Sequence, residues 1–208
     1  MLIITDAEMG FSGKPLFGPF SLTVHGGEIA LLQAPSGAGK STLLHWICGT
    51  PPPTLHATGR ISLNGKDITS LAPEKRQVGI MFQETLLFPH LTVGGNLAFG
   101  IPGGVSRADR QHRISATLAR IGMADMAERD PMTLSGGQKA RISLLRSLLA
   151  EPRAILLDEP FSSLDPETRD EFSTFIRQEI EMRQLPAVLV SHDPRDRDMA
   201  TGPVYTLA

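Results

Sequence analysis

The stretch Ala34-Pro35-Ser36-Gly37-Ala38-Gly39-Lys40-Ser41-Thr42 constrains this chain more than any other, because it works only with a strand in front of it and a helix behind. Both are legible. Glu28-Ile29-Ala30-Leu31-Leu32-Gln33 reads as a strand, and Leu43-Leu44-His45-Trp46-Ile47 opens an apolar helix. Small residues let successive backbone N–H groups converge on phosphate oxygens, and the positive end of the helix adds to that field. Lys40 is expected to place a point charge on the β and γ phosphates, and the Ser41 hydroxyl to ligate Mg²⁺. The pattern normally begins with Gly. Here it begins with Ala34, which fits wherever that position keeps φ negative. A glycine-rich turn before a buried helix is the competing reading.

The chain has 208 residues, enough for one domain with a sizeable core or a domain with a subdomain. Its charge is nearly balanced, 20 Lys plus Arg against 22 Asp plus Glu, so binding to nucleic acid through bulk positive charge is not expected. The single cysteine, Cys48, excludes an internal disulfide framework and reads as a small buried apolar residue. No apolar run approaches the length of a membrane span, and Met1-Leu2-Ile3-Ile4-Thr5-Asp6 lacks the features of a signal peptide. The expectation is a cytoplasmic chain that meets a membrane through a partner.

Residues 1 to 33 read as β structure, with Phe20, Leu22 and Val24 alternating with polar neighbours and Gly26-Gly27 as a turn. A hairpin follows at Gly59 to Lys66. Between them, Pro51-Pro52-Pro53 is expected to end the first helix. Val78 to Phe82 reads as a buried strand delivering Gln83 at its C-terminal end, where ligands gather in parallel α/β sheets. Residues 84–140 read as a helical insert, with a helix starting at Ser106 and Asp109, carrying Ile114, Leu118 and Ile121, and stopping at Gly122. Ile142, Leu145 and Leu149 mark another helix. Ala154 to Leu157 is a buried strand running into Asp158-Glu159, whose side chains should point to opposite faces. Asp165-Pro166 starts a helix with Phe172, Phe175, Ile176 and Ile180 on its apolar face, and Ala187 to Val190 is a last buried strand ending at Ser191-His192. Strands and helices alternate, which predicts a parallel α/β sheet with its site at one edge.

Five segments now stand in order: the loop at 34–42, Gln83 in Met81-Phe82-Gln83-Glu84, Leu134-Ser135-Gly136-Gly137-Gln138, Leu156-Leu157-Asp158-Glu159-Pro160 with Ser163-Leu164-Asp165, and His192 in Val190-Ser191-His192-Asp193. In this order the chain resembles the ATP-binding-cassette (ABC) ATPases over essentially its whole length. The resemblance implies an α/β P-loop nucleoside triphosphatase fold, an ABC-type nucleotide-binding domain with an antiparallel β subdomain and a helical insert. It implies one domain over 1–208 with the insert at 84–140; because the chain stops soon after the last strand, at Val204 to Ala208, no C-terminal regulatory domain is expected, unlike several members of the family.

The resemblance also implies roles. ATP phosphates would lie against Ser36, Gly37, Ala38, Gly39, Lys40, Ser41 and Thr42, and Phe11 would stack on adenine, where rim packing is an open alternative. Asp158, Ser41 and Gln83 would hold Mg²⁺, directly or through water. Glu159 would act as general base, His192 would hydrogen-bond the γ-phosphate, and Gln83 would contact the attacking water and report nucleotide state. Leu134, Ser135, Gly136, Gly137 and Gln138 would complete the ATP site of a second copy. Asp165 would contact that copy, with a plain N-cap role as the alternative.

Glu84 to Leu97 looks like the segment after Gln83 in ATPases of binding-protein-dependent importers, and the chain is similar to the small ATPases of thiamine, iron, molybdate, sulfate and polyamine uptake. This implies a homodimer on the cytoplasmic face of the inner membrane, joined to two transmembrane permease subunits and, indirectly, to an extracytoplasmic solute-binding protein, with no nucleic-acid partner. A cassette that transmits force to a cell-division complex stays open as the alternative. The solute is not legible.

Overall fold

The computed structural model describes residues 1–35 and 37–207, so the expectation for Ser36 falls outside the described residues. The chain divides into two compact units, one of Met1–Ile80, Arg153–Glu159 and Ser173–Ala208, the other of Met81–Pro152 and Pro160–Phe172.

The first unit holds two sheets. Strands β1 (Leu2–Phe11) and β2 (Lys14–Val24) form an antiparallel pair, and β1 pairs on its other side with β4 (Leu55–Leu63), which turns into the short β5 (Lys66–Asp67). The second sheet contains β3 (Ile29–Gln33), β6 (Val78–Met81), β7 (Ala154–Asp158), β8 (Ala187–Ser191) and β9 (Val204–Thr206) in the order β6-β7-β8-β3-β9. Pairs β7–β8, β8–β3 and β3–β9 are parallel. The expected parallel α/β sheet and antiparallel β segment are therefore both present. Helix α1 (Lys40–Cys48) leaves β3 through the glycine-rich loop and joins both sheets in one core, where Leu43, Leu44 and Ile47 pack with Ile4, Leu22, Ile61, Leu156 and Val188. Strands β7 and β8 are buried throughout, as their unbroken apolar runs require.

Two readings need correction. Helix α1 stops at Gly49, not at the prolines: Gly49 takes φ 85°, and the N–H groups of Gly49 and Thr50 return to the carbonyls of Trp46 and His45. The reason lies in Arg76, at the end of the short helix α2 (Pro73–Arg76). Its buried guanidinium donates to the carbonyls of Trp46 (2.7 Å), Ile47 (3.0 Å), Leu71 (2.7 Å) and Thr69 (2.6 Å). A Cβ on Gly49 would lie 2.6 Å from its Nε, so only Gly fits. A cation there also complements the negative end of α1. The second correction concerns β6. It is an edge strand, half-buried except at Met81, because only β7 flanks it.

The second unit is helical. It contains α3 (Val93–Gly100), α4 (Arg107–Arg120), α5 (Gly136–Leu149) and the start of α6 (Pro166–Arg183), and the segment read as a helical insert at 84–140 falls inside it. Ser106 caps α4 by accepting from Asp109 N, and Ile114 and Leu118 are its buried face. Helices α3 and α5 approach closely: a Cβ at Gly100 would lie 2.1 Å from the Arg146 carbonyl. Asn96 is wholly buried and pins the preceding segment. Its Nδ2 donates to the carbonyls of Phe88 (3.1 Å) and Thr92 (3.0 Å), and its Oδ1 accepts from Phe88 N (2.8 Å). Among the described residues, no helix is long and apolar enough to cross a membrane.

Candidate functional site

The C-terminal ends of β3, β7 and β8 lie side by side, with Gln33 paired to Ser191 and Asp158 to Val190. Each strand hands its next residues to the site. After β3 the chain enters the loop with Ala34 buried and outside the positive-φ region, so the missing glycine causes no strain. Gly37 and Gly39 take φ 81° and 90°. Gly39 is constrained twice, since a Cβ there would also lie 3.1 Å from the Phe17 ring. Gly39 is the N-cap of α1, and among the described residues no side chain caps that helix. Its first-turn N–H groups are left for an external acceptor. Lys40 is buried, with Nζ donating to the carbonyls of Ala34 (2.7 Å) and Pro35 (3.0 Å), so the ammonium is folded over the loop it belongs to. Thr42 is half-buried one residue beyond Ser41.

From β7 comes Asp158, whose Oδ1 accepts from Ser41 Oγ at 3.2 Å. Burial at the strand end raises the Asp158 pKa, a shift that the Ser41 hydrogen bond opposes. A hydroxyl and a carboxylate side by side are hard oxygen donors. That pair fits Mg²⁺, which keeps several waters and takes phosphate oxygens rather than a full protein cage. Among the described residues, no group of three His, Cys, Asp or Glu gathers into a cage of its own.

Glu159 does not continue the strand alternation expected for it. It takes φ 47°, a left-handed conformation that a glutamate adopts at a cost of about 1 kcal/mol or more, while its N–H still reaches the Val190 carbonyl at 3.0 Å. The turn carries its side chain to His192 on the neighbouring strand end, with Nδ1 and Oε1 2.9 Å apart. One carboxylate oxygen is thus engaged by the ring and the other is left for a substrate or water. The His192 side chain is about half exposed, and the partly exposed Glu159 carboxylate is its ring partner.

The remaining expected residues sit elsewhere. Phe11 ends β1, half-buried and paired with Leu55 and Lys14. Gln83 is exposed just after β6, in the second unit. That unit also carries Leu134 to Gln138 at the start of α5. There Ser135 Oγ accepts from Gln138 N (3.3 Å) and Gln138 Oε1 accepts from Ser135 N (3.0 Å), a reciprocal cap. Leu134 is buried and Gly136 exposed. Gly137 packs on α6, where a Cβ would meet Thr168 Cγ2 at 2.4 Å. Asp165 is exposed and caps α6 by accepting from Thr168 N (3.0 Å); hydrogen bonds from the Thr168 side chain and then its backbone hold the Asp165 carboxyl below its ordinary value. Cys48 is buried, its thiol pushed up to about 12 by burial, so it is not a nucleophile.

Three residues escape the motif reading: Arg76, Asn96 and Asp196. Each is a buried polar side chain: Arg76 is satisfied by backbone carbonyls up to 30 positions away, Asn96 by the backbone of the segment before it, and Asp196 by the Ser191 hydroxyl, and no local periodicity signals that.

A strand-loop-helix phosphate cradle at the carboxyl ends of a parallel sheet, with a carboxylate beside the loop serine, defines a P-loop nucleoside triphosphatase of α/β class. Residues 17–162 match the family model for "ABC transporter". The chain is 40% identical over 196 residues to the uncharacterized ABC transporter ATP-binding protein YnjD of Escherichia coli K12, spanning 94% of this chain and 90% of that protein. It is also 40% identical over 197 residues to the thiamine import ATP-binding protein ThiQ of E. coli K12 and of Shigella boydii, spanning 94% of this chain and 83% of each. This chain belongs to the ABC transporter family of ATP-binding proteins, and it is an ATPase.

Proposed function

We propose that this protein is the energy-coupling ATPase of an importer, working as a dimer of two copies that close on two ATP molecules and drive separate permease subunits. The observation that carries the hydrolytic part is the 2.9 Å contact between Glu159 and His192 at adjoining strand ends. ATP phosphates lie on the loop from Ser36 to Thr42, with Lys40 releasing its loop carbonyls to reach the β and γ oxygens. Ser41 and Asp158, with Gln83, would hold Mg²⁺, which when bound would neutralise phosphate charge. Glu159 uses its free carboxylate oxygen to orient the attacking water and take its proton. His192 would donate Nε2–H to the γ-phosphate and Nδ1–H to Glu159 together only when its ring carries a proton on both nitrogens. Phosphoryl transfer needs little beyond this, because its rate comes from positioning and charge neutralisation. Phe11 stacks on adenine. Leu134 to Gln138 reaches the ATP of the other copy, and Asp165 contacts that copy.

Importer coupling is supported by the likeness to thiamine import ATP-binding proteins and by an apolar surface in the helical unit. Phe99 is 68% exposed, with its ring 4.6 Å from that of Phe88, and Arg146 lies over Phe88 at 5.1 Å while donating to the Leu86 carbonyl. Leu86 is itself exposed. Asn96 ties the Phe88 segment to the start of α3, and that segment forms one exposed surface. It is the docking site for the permeases, which place the protein on the cytoplasmic face of the inner membrane and link it to an external solute-binding protein; no nucleic acid takes part.

The test is Glu159→Gln. The variant should keep Mg-ATP binding, lose turnover by about a hundredfold or more, and run as an ATP-dependent dimer on size-exclusion chromatography. Captured with Mg-ATP from detergent-solubilised native membranes, it should bring down multi-span permeases. Wild-type turnover would remove Glu159 from the chemistry, and capture of a soluble complex instead would overturn the importer reading.

A further inference from the structure

A buried carboxylate lies just behind His192, and the scheme above leaves it without a task. Asp196 is 3% exposed, inside the short 3-10 turn Pro194–Met199. Capping does not explain it, because Asp193 already caps that turn. Asp193 Oδ1 accepts from Arg195 N (2.9 Å), and both its oxygens accept from the Arg195 guanidinium. A buried carboxylate is costly to desolvate, and an apolar residue would fill such a position more cheaply. One of its partners is Ser191, 2% exposed, the last residue of β8 and the one directly before His192. The Ser191 hydroxyl donates to Asp196 Oδ2 and accepts from Asp193 N at 2.9 Å.

One hydroxyl thus ties the residues on both sides of His192. Ser191 is fixed below by its pairing with Gln33 in the sheet, and Asp193 is fixed above through its own N–H. With Asp196 Oδ2 accepting its proton, the Ser191 hydroxyl turns a lone pair toward Asp193 N–H. The main chain is thereby tied at 191 and 193, on both sides of the half-exposed His192 ring that contacts Glu159.

We propose that Asp196 is a positioning residue for ATP hydrolysis, acting through Ser191 to hold His192 in register with Glu159. The proposal rests on the reading of Glu159 and His192 as the hydrolytic pair. It requires that Asp196 have no effect once the His192 ring is gone.

The test is a double-mutant cycle on steady-state ATP turnover with Asp196→Ala, His192→Ala and the double variant. Asp196→Ala should lower kcat by about tenfold with KM for ATP within about twofold, and should cause no further loss in the His192→Ala background. Asp196→Asn keeps an oxygen that accepts from Ser191 and should recover most of the turnover. If Asp196→Ala does not yield folded protein, Ser191→Ala takes its place with the same expected pattern. An equal loss with and without His192, or wild-type kcat in Asp196→Ala, overturns the proposal and leaves the hydrolytic pair standing. Wild-type kcat in His192→Ala overturns the pair itself, and the proposal with it.

Discussion

Helices α1 and α5 both begin at glycine-rich segments, yet their first turns are finished differently. At α1 the N-cap is Gly39 with φ 90° and among the described residues no side chain closes the turn, so the N–H groups stay open. At α5 the N-cap is Ser135, and its reciprocal bonds with Gln138 satisfy two of the donors within the chain. The open turn is set to bind an anion from its own chain's loop side, with the Lys40 ammonium beside it. The closed turn is rigid, and what it has left to offer is the Ser135 O–H proton and the N–H groups of Gly136 and Gly137. On the proposed function, the open end would gather phosphate and the closed end would add a few donors to the pocket of a second copy.

The largest effect should come from the open turn. Lys40→Ala should weaken Mg-ATP binding to the isolated chain by about tenfold to a hundredfold, read by nucleotide titration. If affinity is retained, α1 is not the phosphate end and the contrast fails. Next, the two loop glycines should separate. Gly39→Ala should destabilise the fold by about 2 kcal/mol, because strain and contact with Phe17 add, whereas Gly37→Ala, with open space at its Cβ, should cost about 1 kcal/mol. Denaturant melts of both variants would show it, and equal losses would mean that the Phe17 contact is not felt.

Ser135→Ala should then cost about 1 kcal/mol in stability through the lost cap, and leave ATP affinity of the isolated chain within about twofold of wild type. A fall like that of Lys40→Ala would place the serine in its own chain's site. The smallest effect concerns Asp158. Burial raises its pKa in the folded state, so the folded chain holds a proton that the unfolded chain has released, and stability falls as pH rises through that window. Asp158→Asn should remove this fall and slightly raise the nucleotide-free Tm at neutral pH. A lower Tm for the variant at pH 7 would show that the ionised carboxylate stabilises the fold.

Most strands were legible because their signals are local. The apolar runs at 154–157 and 187–190 and the turns at Gly26-Gly27 and Asn64-Gly65 each declare themselves within a few residues. Reading failed where a partner distant in sequence decides. The stop of α1 at Gly49 depends on Arg76, and the half-burial of β6 depends on its place at a sheet edge. Glu159 follows the same rule, since strand alternation assumes the strand continues and its backbone instead turns left-handed toward His192.

By itself the sequence determined the family, the order of the five motifs and the alternation of strands and helices, because small loop residues, caps and apolar periodicity act over a few residues. Tertiary structure alone decided which of those motifs touch. Ser41 meets Asp158 across 117 positions and Glu159 meets His192 across 33 because the sheet order sets β7 beside β8 and β8 beside β3. Strand order is a property of the whole core, fixed by how every apolar face is buried at once, and no stretch of the chain encodes it locally.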